Sequence, residues 1–266
     1  MAHEEIIYGL HAVDEALRAG EPVRRLVIGR QRQADPKVKP LIDAARARRI
    51  PVSFDSGPAF SALQGRNHQH VLASMEPFAY AAWSEVRSAV RAAEQILVLV
   101  LDHLEDPQNA GAILRNAEGA GVGAVILPER RSVGVTAAVR RAAAGAASHL
   151  HVCRVPNIAS ALQSLKDDGC WVTGLSLADT ALPYDRADFA PKTALVVGSE
   201  GNGLSRLVAE RCDLLVHIPL RGRVLSLNAA SAAAVVLFEI ARRHNDAGYQ
   251  NQLVTPQNKA KPRPNP

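Results

Sequence analysis

Cysteine is scarce in this chain, and long apolar runs are absent. The three cysteines, Cys153, Cys170 and Cys212, lie far apart and form no Cys-x-x-Cys pair. This spacing argues against a zinc or dithiol redox site and favours reduced, structural thiols. No apolar run reaches the roughly 18 residues of a membrane-spanning helix. The N-terminal MAHEEIIYGL has acidic residues where an export signal has basic ones, so we expect a cytoplasmic protein without a membrane partner.

Composition excludes the fibrous and disordered classes. The 18 glycines and 16 prolines follow no period, which excludes a collagen-like chain. Of the 266 residues, 47% are hydrophobic and 21% are charged. A chain of this size and composition can bury a large core and still form a second, smaller domain.

Positive charge is concentrated at the two ends of the chain, which has a formal net charge of +5. Residues 1–75 carry 11 Lys/Arg against 8 Asp/Glu, residues 76–245 carry 17 against 17, and residues 246–266 carry 3 against 1. Basic ends around a neutral centre suit an enzyme that binds a phosphate-rich substrate outside its catalytic domain. An ordinary solvated surface can have the same distribution of charge along the chain, so charge alone leaves both interpretations open.

The first 75 residues have the pattern of a small α/β domain. Apolar periodicity and turn residues predict the following elements: helices at 11–19, 35–49 and 57–65, and strands at 23–29, 51–55 and 70–76. Residues 76–93 lack an alternating pattern at first and become helical later, which is typical of an interdomain linker. The sequence therefore predicts an N-terminal domain over 1–75 and a linker over 76–93.

Residues 94–245 predict a larger α/β domain with a parallel sheet. The predicted strands are 96–102, 124–128, 149–155, 171–177, 193–199 and 214–219, and the predicted helices are 109–120, 136–147, 157–168, 203–212 and 226–244. Continuously apolar strands separated by helices indicate a sheet covered on both faces, with ligands beyond the carboxyl ends of its strands. The polar, proline-rich tail 246–266 is predicted to be disordered.

The first candidate loop follows strand 96–102 and reads Asp-Pro-Gln-Asn-Ala-Gly-Ala-Ile-Leu-Arg. Asn109 is placed to cap a helix, and Arg115 lies six residues further on, where it could meet a phosphate or a developing oxyanion. A capped helix with a surface arginine is the simpler interpretation of this loop taken alone.

The second candidate loop, Gly198-Ser-Glu-Gly-Asn-Gly-Leu204, follows strand 193–199. Its glycines let the backbone approach a ligand, and a Rossmann-type dinucleotide site is the obvious competitor. The order G-x-x-G-x-G reverses that fingerprint, and the Glu200 carboxylate favours a ligand with a positive centre. A P-loop is excluded because no Gly-Lys-Ser/Thr is present.

The third candidate loop joins strand 214–219 to the last helix and runs from Ile218 to Asn228. Ser226 and Asn228 are able to cap that helix, which is the simple interpretation. Pro219 and Gly222 shape a loop whose backbone is able to hydrogen-bond a flat adenine. Each loop is ambiguous by itself, but the three occur together and in order.

Taken together, Asn-x-Gly-x-x-x-Arg, Gly-Ser-Glu-Gly-x-Gly, and Ile-Pro-Leu followed by Ser-Leu-Asn resemble the three motifs of the SpoU, or TrmH, family. Its members are RNA ribose 2'-O-methyltransferases of the SPOUT class. The segments Tyr8-Gly-Leu-His-Ala-Val13 and Asn67-His-Gln69 extend the resemblance to members that methylate a guanosine ribose in bacterial 23S ribosomal RNA. The resemblance covers residues 4–245.

The resemblance implies a SPOUT-type α/β fold with a C-terminal trefoil knot, preceded by a small α/β RNA-binding domain. It implies S-adenosylmethionine as the methyl donor, no metal, ribosomal RNA as the partner, and a homodimer whose active site forms between two protomers. The implied donor-binding residues are Gly198, Glu200, Gly203, Ile218, Pro219 and Leu227. The implied catalytic residues are Asn109, Arg115, Glu200, Ser226 and Asn228.

The chemistry would be attack of a ribose 2'-oxygen on a sulfonium methyl group. Arg115 stays protonated near neutrality, so phosphate anchoring and alkoxide stabilisation suit it better than proton abstraction, and the proton acceptor stays open. Asn109 and Asn228 would orient the hydroxyl and the loops. Ser226 would hold the third turn, and Glu200 would position Asn109 or Arg115.

Two residues depart from the family pattern. Ala230 stands where the family usually has serine, with Ser231 next to it, and His70 stands where glycine is common. A strand would place His68 and His70 on one face, where they would contact RNA, bind a metal or only pack. The alternative functions are a transfer-RNA ribose methyltransferase, which normally lacks the N-terminal module, and a non-catalytic ribosome-assembly protein.

Overall fold

The structure is a computed structural model that describes residues 5–201 and 203–246. The chain divides into two compact units. The first comprises Met1–Ala79 with Val135–Ala137, and the second comprises Tyr80–Gly134 with Ala138–Pro266. Among the described residues, no helix is long and apolar enough to cross a membrane.

The first unit contains a four-stranded mixed sheet. Its elements are β1 (Glu5–Tyr8), α1 (Leu10–Arg18), β2 (Val23–Gly29), α2 (Lys39–Ala47), β3 (Val52–Asp55) and β4 (Val71–Met75), with 3-10 turns at Arg30–Arg32 and Pro58–Leu63. The strand order is β1-β4-β2-β3, in which β2 and β3 are parallel and the other pairs antiparallel. Strand β1 was not predicted, and the predicted helix 35–49 is shorter, because a turn precedes Lys39.

Helices α1 and α2 supply the core on one face of this sheet, and the 3-10 turn Pro58–Leu63 covers part of the other face. The apolar side chains of α1 recur on one side of the helix, which buries Val13, Ala16 and Leu17. The turn packs Phe60 and Leu63 against Val27 and Leu72 of the neighbouring strands. The N-terminal unit therefore has a core of its own.

The second unit contains a seven-stranded parallel sheet. Its elements are α3 (Trp83–Ala92), β5 (Ile96–Asp102), α4 (Pro107–Gly119), β6 (Ala124–Pro128), α5 (Ala137–Ala142), β7 (Val152–Val155), α6 (Ile158–Asp167), β8 (Trp171–Leu175), β9 (Leu182–Pro183), β10 (Lys192–Gly198), α7 (Arg206–Arg211), β11 (Leu214–His217) and α8 (Ala229–Asp246). The strand order is β7-β6-β5-β10-β8-β11-β9, and every pair is parallel.

Helices cover both faces of the larger sheet, as its continuously apolar strands predict. Alternate residues of β5, namely Ile96, Val98 and Val100, belong to a core that also includes apolar residues of α3 and α6. The residues between them are also buried and point to the opposite face, because side chains alternate along a strand. Helices α4 and α8 pack on each other, and α8 packs on β10.

One buried carboxylate links α3 to the end of α6. Asp168 accepts hydrogen bonds from Arg87 Nε at 2.6 Å and from Arg91 Nη1 at 3.1 Å. The hydrogen bond from Arg87 is the main reason that the pKa of Asp168 lies below its ordinary value. These two hydrogen bonds hold α3 against the end of α6 within the second unit. Residues 83–92 of the predicted linker therefore form a packed helix.

Several predicted boundaries were wrong in detail. The predicted helix 136–147 is the short α5 followed by a 3-10 turn at Ala146–His149, with Gly145 in the left-handed region between them. His68 and His70 are not on a strand, since Gln69 and His70 have positive φ and β4 begins at Val71. Apart from Asp246, which ends α8, the tail predicted to be disordered lies outside the described residues.

Candidate functional site

The site lies where β8, β10 and β11 end, at the carboxyl edge of the larger sheet. Strand β10 lies between β5 and β8, and its last residue, Gly198, is in register with Asp102 at the end of β5. Asp102 is buried, and its Oδ2 accepts a hydrogen bond from the backbone N–H of Ser205 at 2.7 Å. The glycine-rich loop after β10 is thus tied to the end of β5.

That loop folds back on itself. The backbone N–H of Ser199 donates to the carbonyl of Gly203 at 3.1 Å, and the N–H of Gly203 donates to the carbonyl of Ser199 at 3.0 Å. A Cβ at Gly198 would lie 2.1 Å from the carbonyl oxygen of Gly203, so no larger residue fits there without moving the loop. This explains the first glycine of the Gly-Ser-Glu-Gly-x-Gly motif.

A cavity of about 350 Å³ opens beside this loop. We call it the donor cavity, after the ligand that the sequence analysis predicts for these loops. Its described lining comes from the ends of three strands and the start of α8: Leu175, Ser176, Leu177, Val197, Gly198, Ser199, Glu200, Gly201, Gly203, His217, Ile218, Leu220, Ser226, Leu227, Asn228, Ala229 and Ala232. Its size is within the range of small-molecule sites, and mostly apolar walls with a few polar groups are typical of them.

Asn228 connects the second and third loops to the first. Its Oδ1 caps α8 by accepting from the backbone N–H of Ala230 at 2.9 Å and of Ser231 at 3.3 Å. Its Nδ2 donates to Asn109 Oδ1 at 2.7 Å and to Glu200 Oε1 at 2.6 Å. The amide oxygen therefore caps the helix, and the amide nitrogen holds the side chains of Asn109 and Glu200 together.

Asn109 is in the first turn of α4 and does not cap it. The cap is Asp106, whose Oδ2 accepts from the backbone N–H of Asn109 at 2.9 Å, and Pro107 occupies the first helical position. The predicted cap was wrong because this carboxylate three residues earlier takes that role. The Asn109 side chain is buried and turned to Asn228. A Cβ at Gly111 would lie 2.3 Å from that of Ala142, which explains the glycine of the first motif.

The predicted site residues separate into those that meet and those that do not. Asn109, Glu200 and Asn228 form one hydrogen-bonded cluster. The lining of the donor cavity includes Gly198, Gly203, Ile218, Ser226 and Leu227, but neither Pro219 nor Arg115.

Arg115 is the main departure from the expected site. It is exposed on α4 and makes no hydrogen bond or ion pair with any described residue. Six residues correspond to about 240° around a helix, so Arg115 points away from the face that carries Asn109. Glu200 forms no hydrogen bond with Arg115 or Asn109, and its link to Asn109 runs through Asn228.

Sequence reasoning missed two parts of the site. One is the wall formed by Leu175, Ser176 and Leu177, together with His217, whose Nδ1 lies 3.0 Å from the carbonyl of Ala181. The other is Asp102, a buried carboxylate that ends an otherwise apolar strand. The charge of Asp102 was a usable signal, because a carboxylate is rarely buried without a partner.

Comparison with known proteins gives two family matches. A sequence profile of the SpoU rRNA methylase family matches residues 96–238. A second profile, described as RNA 2'-O ribose methyltransferase substrate binding, matches residues 6–81.

Relatives match over nearly the whole chain. A Staphylococcus aureus (strain COL) protein named as a TrmH family tRNA/rRNA methyltransferase is 39% identical over 248 residues, covering 92% of this chain and 98% of its own. The SpoU methyltransferase AviRb from Streptomyces viridochromogenes, in complex with AdoMet, is 25% identical with a TM-score of 0.63 and 92% of both chains covered. An AdoMet-bound rRNA methyltransferase from Sinorhizobium meliloti is 26% identical with a TM-score of 0.59, covering 91% of this chain and 87% of its own. The chain therefore belongs to the SpoU (TrmH) family of RNA methyltransferases, whose methyl donor is S-adenosylmethionine.

Proposed function

We propose that this protein transfers a methyl group from S-adenosylmethionine to the ribose 2'-hydroxyl of a specific guanosine in 23S ribosomal RNA during ribosome biogenesis. The observation that carries the proposal is the cluster of Asn109, Glu200 and Asn228 at the donor cavity. These residues come from three separate segments: the first turn of α4, the loop after β10 and the start of α8. Their convergence is typical of a built site rather than of an incidental cap.

The size and the lining of the donor cavity support S-adenosylmethionine as its ligand. The close approach of Gly198 to Gly203 leaves backbone, rather than side chains, facing the ligand. Leu175, Ile218 and Leu227 offer apolar contacts to a flat base, and the Glu200 carboxylate suits a cationic sulfonium. When bound, the donor supplies an electrophilic methyl group, and the protein's residues orient the 2'-oxygen toward it.

Arg115 is proposed to act across a homodimer. A cation that is exposed and has no partner among the described residues of its own chain is available to the cavity of a second chain, where it would anchor a phosphate or stabilise a developing alkoxide. We propose that two copies associate through their catalytic units and complete each other's sites. The C-terminal trefoil knot and the positions of Ser226 and Pro219 near the donor are proposed on the same family resemblance.

Mixing two inactive variants tests this arrangement. Arg115→Ala and Asn228→Ala chains, denatured and refolded together in equal amounts, form heterodimers in which one site has both an intact cavity and an intact arginine. We expect about one quarter of the wild-type methylation rate from random pairing. If Arg115 acts within its own chain, the mixture stays as inactive as the separate variants.

RNA recognition is proposed to rest on the first unit. Residues 1–75 have the basic excess, and the substrate-binding profile matches this part of the chain. Basic residues attract RNA phosphates without reading bases, so they supply affinity that depends on salt.

Mapping of ribose methylation tests the proposed function. Ribosomal and transfer RNA from a gene-deletion strain and its parent are compared for 2'-O-methyl groups, and the purified protein is then given the unmodified RNA with S-adenosylmethionine. We expect one guanosine of 23S RNA to lose its methyl group in the deletion strain and to regain it in vitro. Loss of a transfer-RNA methyl group instead would establish the alternative substrate. If no methyl group is lost and the purified protein transfers none, the non-catalytic alternative holds.

A further inference from the structure

A second cavity of about 280 Å³ lies at the carboxyl ends of β5, β6 and β7, on the half of the sheet that the donor cavity does not use. Its described lining is His103, Pro128, Arg130, Arg131, Pro156, Asn157, Ile158, Ala159, Ser205, Leu207 and Val208. We call it the cationic cavity. Ligands of parallel α/β sheets bind at this edge, so its position is that of a binding site.

The charges of the cationic cavity have one sign. Arg130 and Arg131 are exposed, and neither forms a hydrogen bond or ion pair with a described residue. None of the described residues that line the cavity carries a carboxylate. Two adjacent arginines without an acidic partner repel each other, so a bound anion would relieve an unfavourable arrangement.

His103 is fixed in the wall by a buried carboxylate. Its Nδ1 lies 2.5 Å from Asp102 Oδ1, and the other oxygen of Asp102 accepts from the Ser205 N–H. Because Asp102 engages Nδ1, Nε2 is the ring nitrogen left for a ligand. His103 and Arg131 have φ of 57° and 53°, a region that glycine adopts most easily. The chain thus has charged or hydrogen-bonding side chains at two positions where glycine would cause less backbone strain.

The same connection between β10 and α7 contributes to both cavities. Its first half, with Gly198 and Gly203, lines the donor cavity, and its second half, with Ser205, lines the cationic cavity. No phenylalanine, tyrosine or tryptophan is among the described lining residues of the cationic cavity, so its charged and hydrogen-bonding groups, rather than a platform of such rings, would recognise a ligand. Its chemistry is that of a phosphate site.

We propose that the cationic cavity binds a backbone phosphate of the RNA substrate, close to the nucleotide that is methylated. The inference rests on the proposed function for the identity of the RNA. Arg130 and Arg131 would hold the phosphate oxygens, and His103 Nε2 would face the same group. The catalytic unit then has an RNA contact of its own, in addition to the N-terminal unit.

The test compares variants that differ in charge at the cavity. Arg130→Gln/Arg131→Gln removes both cations, Arg130→Lys/Arg131→Lys keeps them, and Arg186→Gln is the matched control. Arg186 is exposed in the 3-10 turn Tyr184–Arg186, after the edge strand at the opposite side of the sheet. Filter binding of unmodified, in vitro transcribed 23S RNA is measured for each full-length protein over a series of salt concentrations. Isothermal titration gives the affinity for S-adenosylmethionine.

We expect the double glutamine variant to bind the RNA at least tenfold more weakly and to have a salt slope lower by about 0.7, the value for one lost phosphate contact on a single strand. The lysine variant and Arg186→Gln should keep the wild-type slope, and donor affinity should be unchanged throughout. Wild-type RNA affinity and slope in the double glutamine variant would overturn the inference. If that variant loses donor affinity through misfolding, the single Arg131→Gln change is compared with Arg131→Lys by the same criterion.

Two further measurements complete the test. One distinguishes an RNA phosphate from free inorganic phosphate as the ligand, and the other distinguishes a failure of this inference from a failure of the proposed function. Competition by inorganic phosphate at low concentration, without any effect of the variants on RNA binding, would indicate a small-anion site and contradict an RNA contact. If wild-type protein methylates transfer RNA instead of 23S RNA, the proposed substrate fails, and the same variants are measured on transfer RNA. The change in slope decides the inference in either case.

Discussion

Asn228→Asp is the sharpest test of the candidate site, because aspartate keeps one function of this side chain and removes the other. Its carboxylate still accepts from the N–H groups of Ala230 and Ser231, so the cap of α8 is retained. The nitrogen that donates to Asn109 and Glu200 is replaced by an oxygen. That oxygen then faces two other acceptors, Asn109 Oδ1 and Glu200 Oε1, without a hydrogen between them.

The expected cost follows from these contacts. Two hydrogen bonds at 2.7 and 2.6 Å are lost, at about 1 kcal/mol each for partly exposed groups. Two carboxylates that relax to about 4 Å repel each other by about 1 kcal/mol in water. If the donor binds only the connected loops, 2–3 kcal/mol corresponds to a roughly 30- to 150-fold loss of affinity. The stability of the fold should change by less than about 1 kcal/mol, because the cap remains.

Isothermal titration with S-adenosylmethionine and urea unfolding separate these effects. Asn228→Ala is the comparison, since it removes the cap as well and should lower the free energy of unfolding by about a further 1 kcal/mol. An aspartate variant with wild-type affinity at neutral pH would show that the cluster does not hold the donor cavity together.

Three further outcomes are expected. Gly198→Ala should weaken donor binding at least tenfold by titration, because the Cβ would lie 2.1 Å from the Gly203 carbonyl, whereas Gly222→Ala, in open space, should leave it unchanged. Asp168→Asn should destabilise the protein to urea by about 2 kcal/mol, with Asp167→Asn as the neutral control. Since the pKa of Asp168 lies below its ordinary 3.8, the pair stabilises the wild type above that pH and loses this effect as the pH falls further, a loss that Asp168→Asn should not show. Burial raises the pKa of Cys153 and Cys170 to about 12, so both thiols should react with iodoacetamide only after unfolding, and rapid labelling of the folded protein would contradict that burial.

Most strands of the larger sheet could be predicted because they are continuously apolar. Residues 96–102 and 124–128 were predicted with the bounds that the structure has, and β10 was displaced by one residue. The order of the strands could not be predicted, because periodicity carries no information about which strands are neighbours. Placing β10 beside β8 is what brings Leu175–Leu177 into the donor cavity. That wall was therefore missed although its strand was found.

The three loops were found from their residue types, but the contacts between them were not. The spacing of Asn109 and Asn228 in the chain, 119 residues, gives no reason to expect a hydrogen bond between them. The helix starts were misjudged for a related reason. Asp106 and Asn109 are both good capping residues, and only the backbone of the first turn decides between them. The short strand β9 was missed because two residues give no pattern.

The geometry of Asn228 changes the role that the sequence suggested for it. An amide nitrogen has two hydrogens, and Asn109 and Glu200 accept both of them, while the N–H groups of Ala230 and Ser231 point to its oxygen. Asn228 therefore has no donor left for a ribose hydroxyl, and we infer that it positions the other two residues. Asn109 Nδ2 and Glu200 Oε2 form no hydrogen bond with any described residue. Under the proposed function, these two atoms are the ones placed to meet the substrate and the methyl donor.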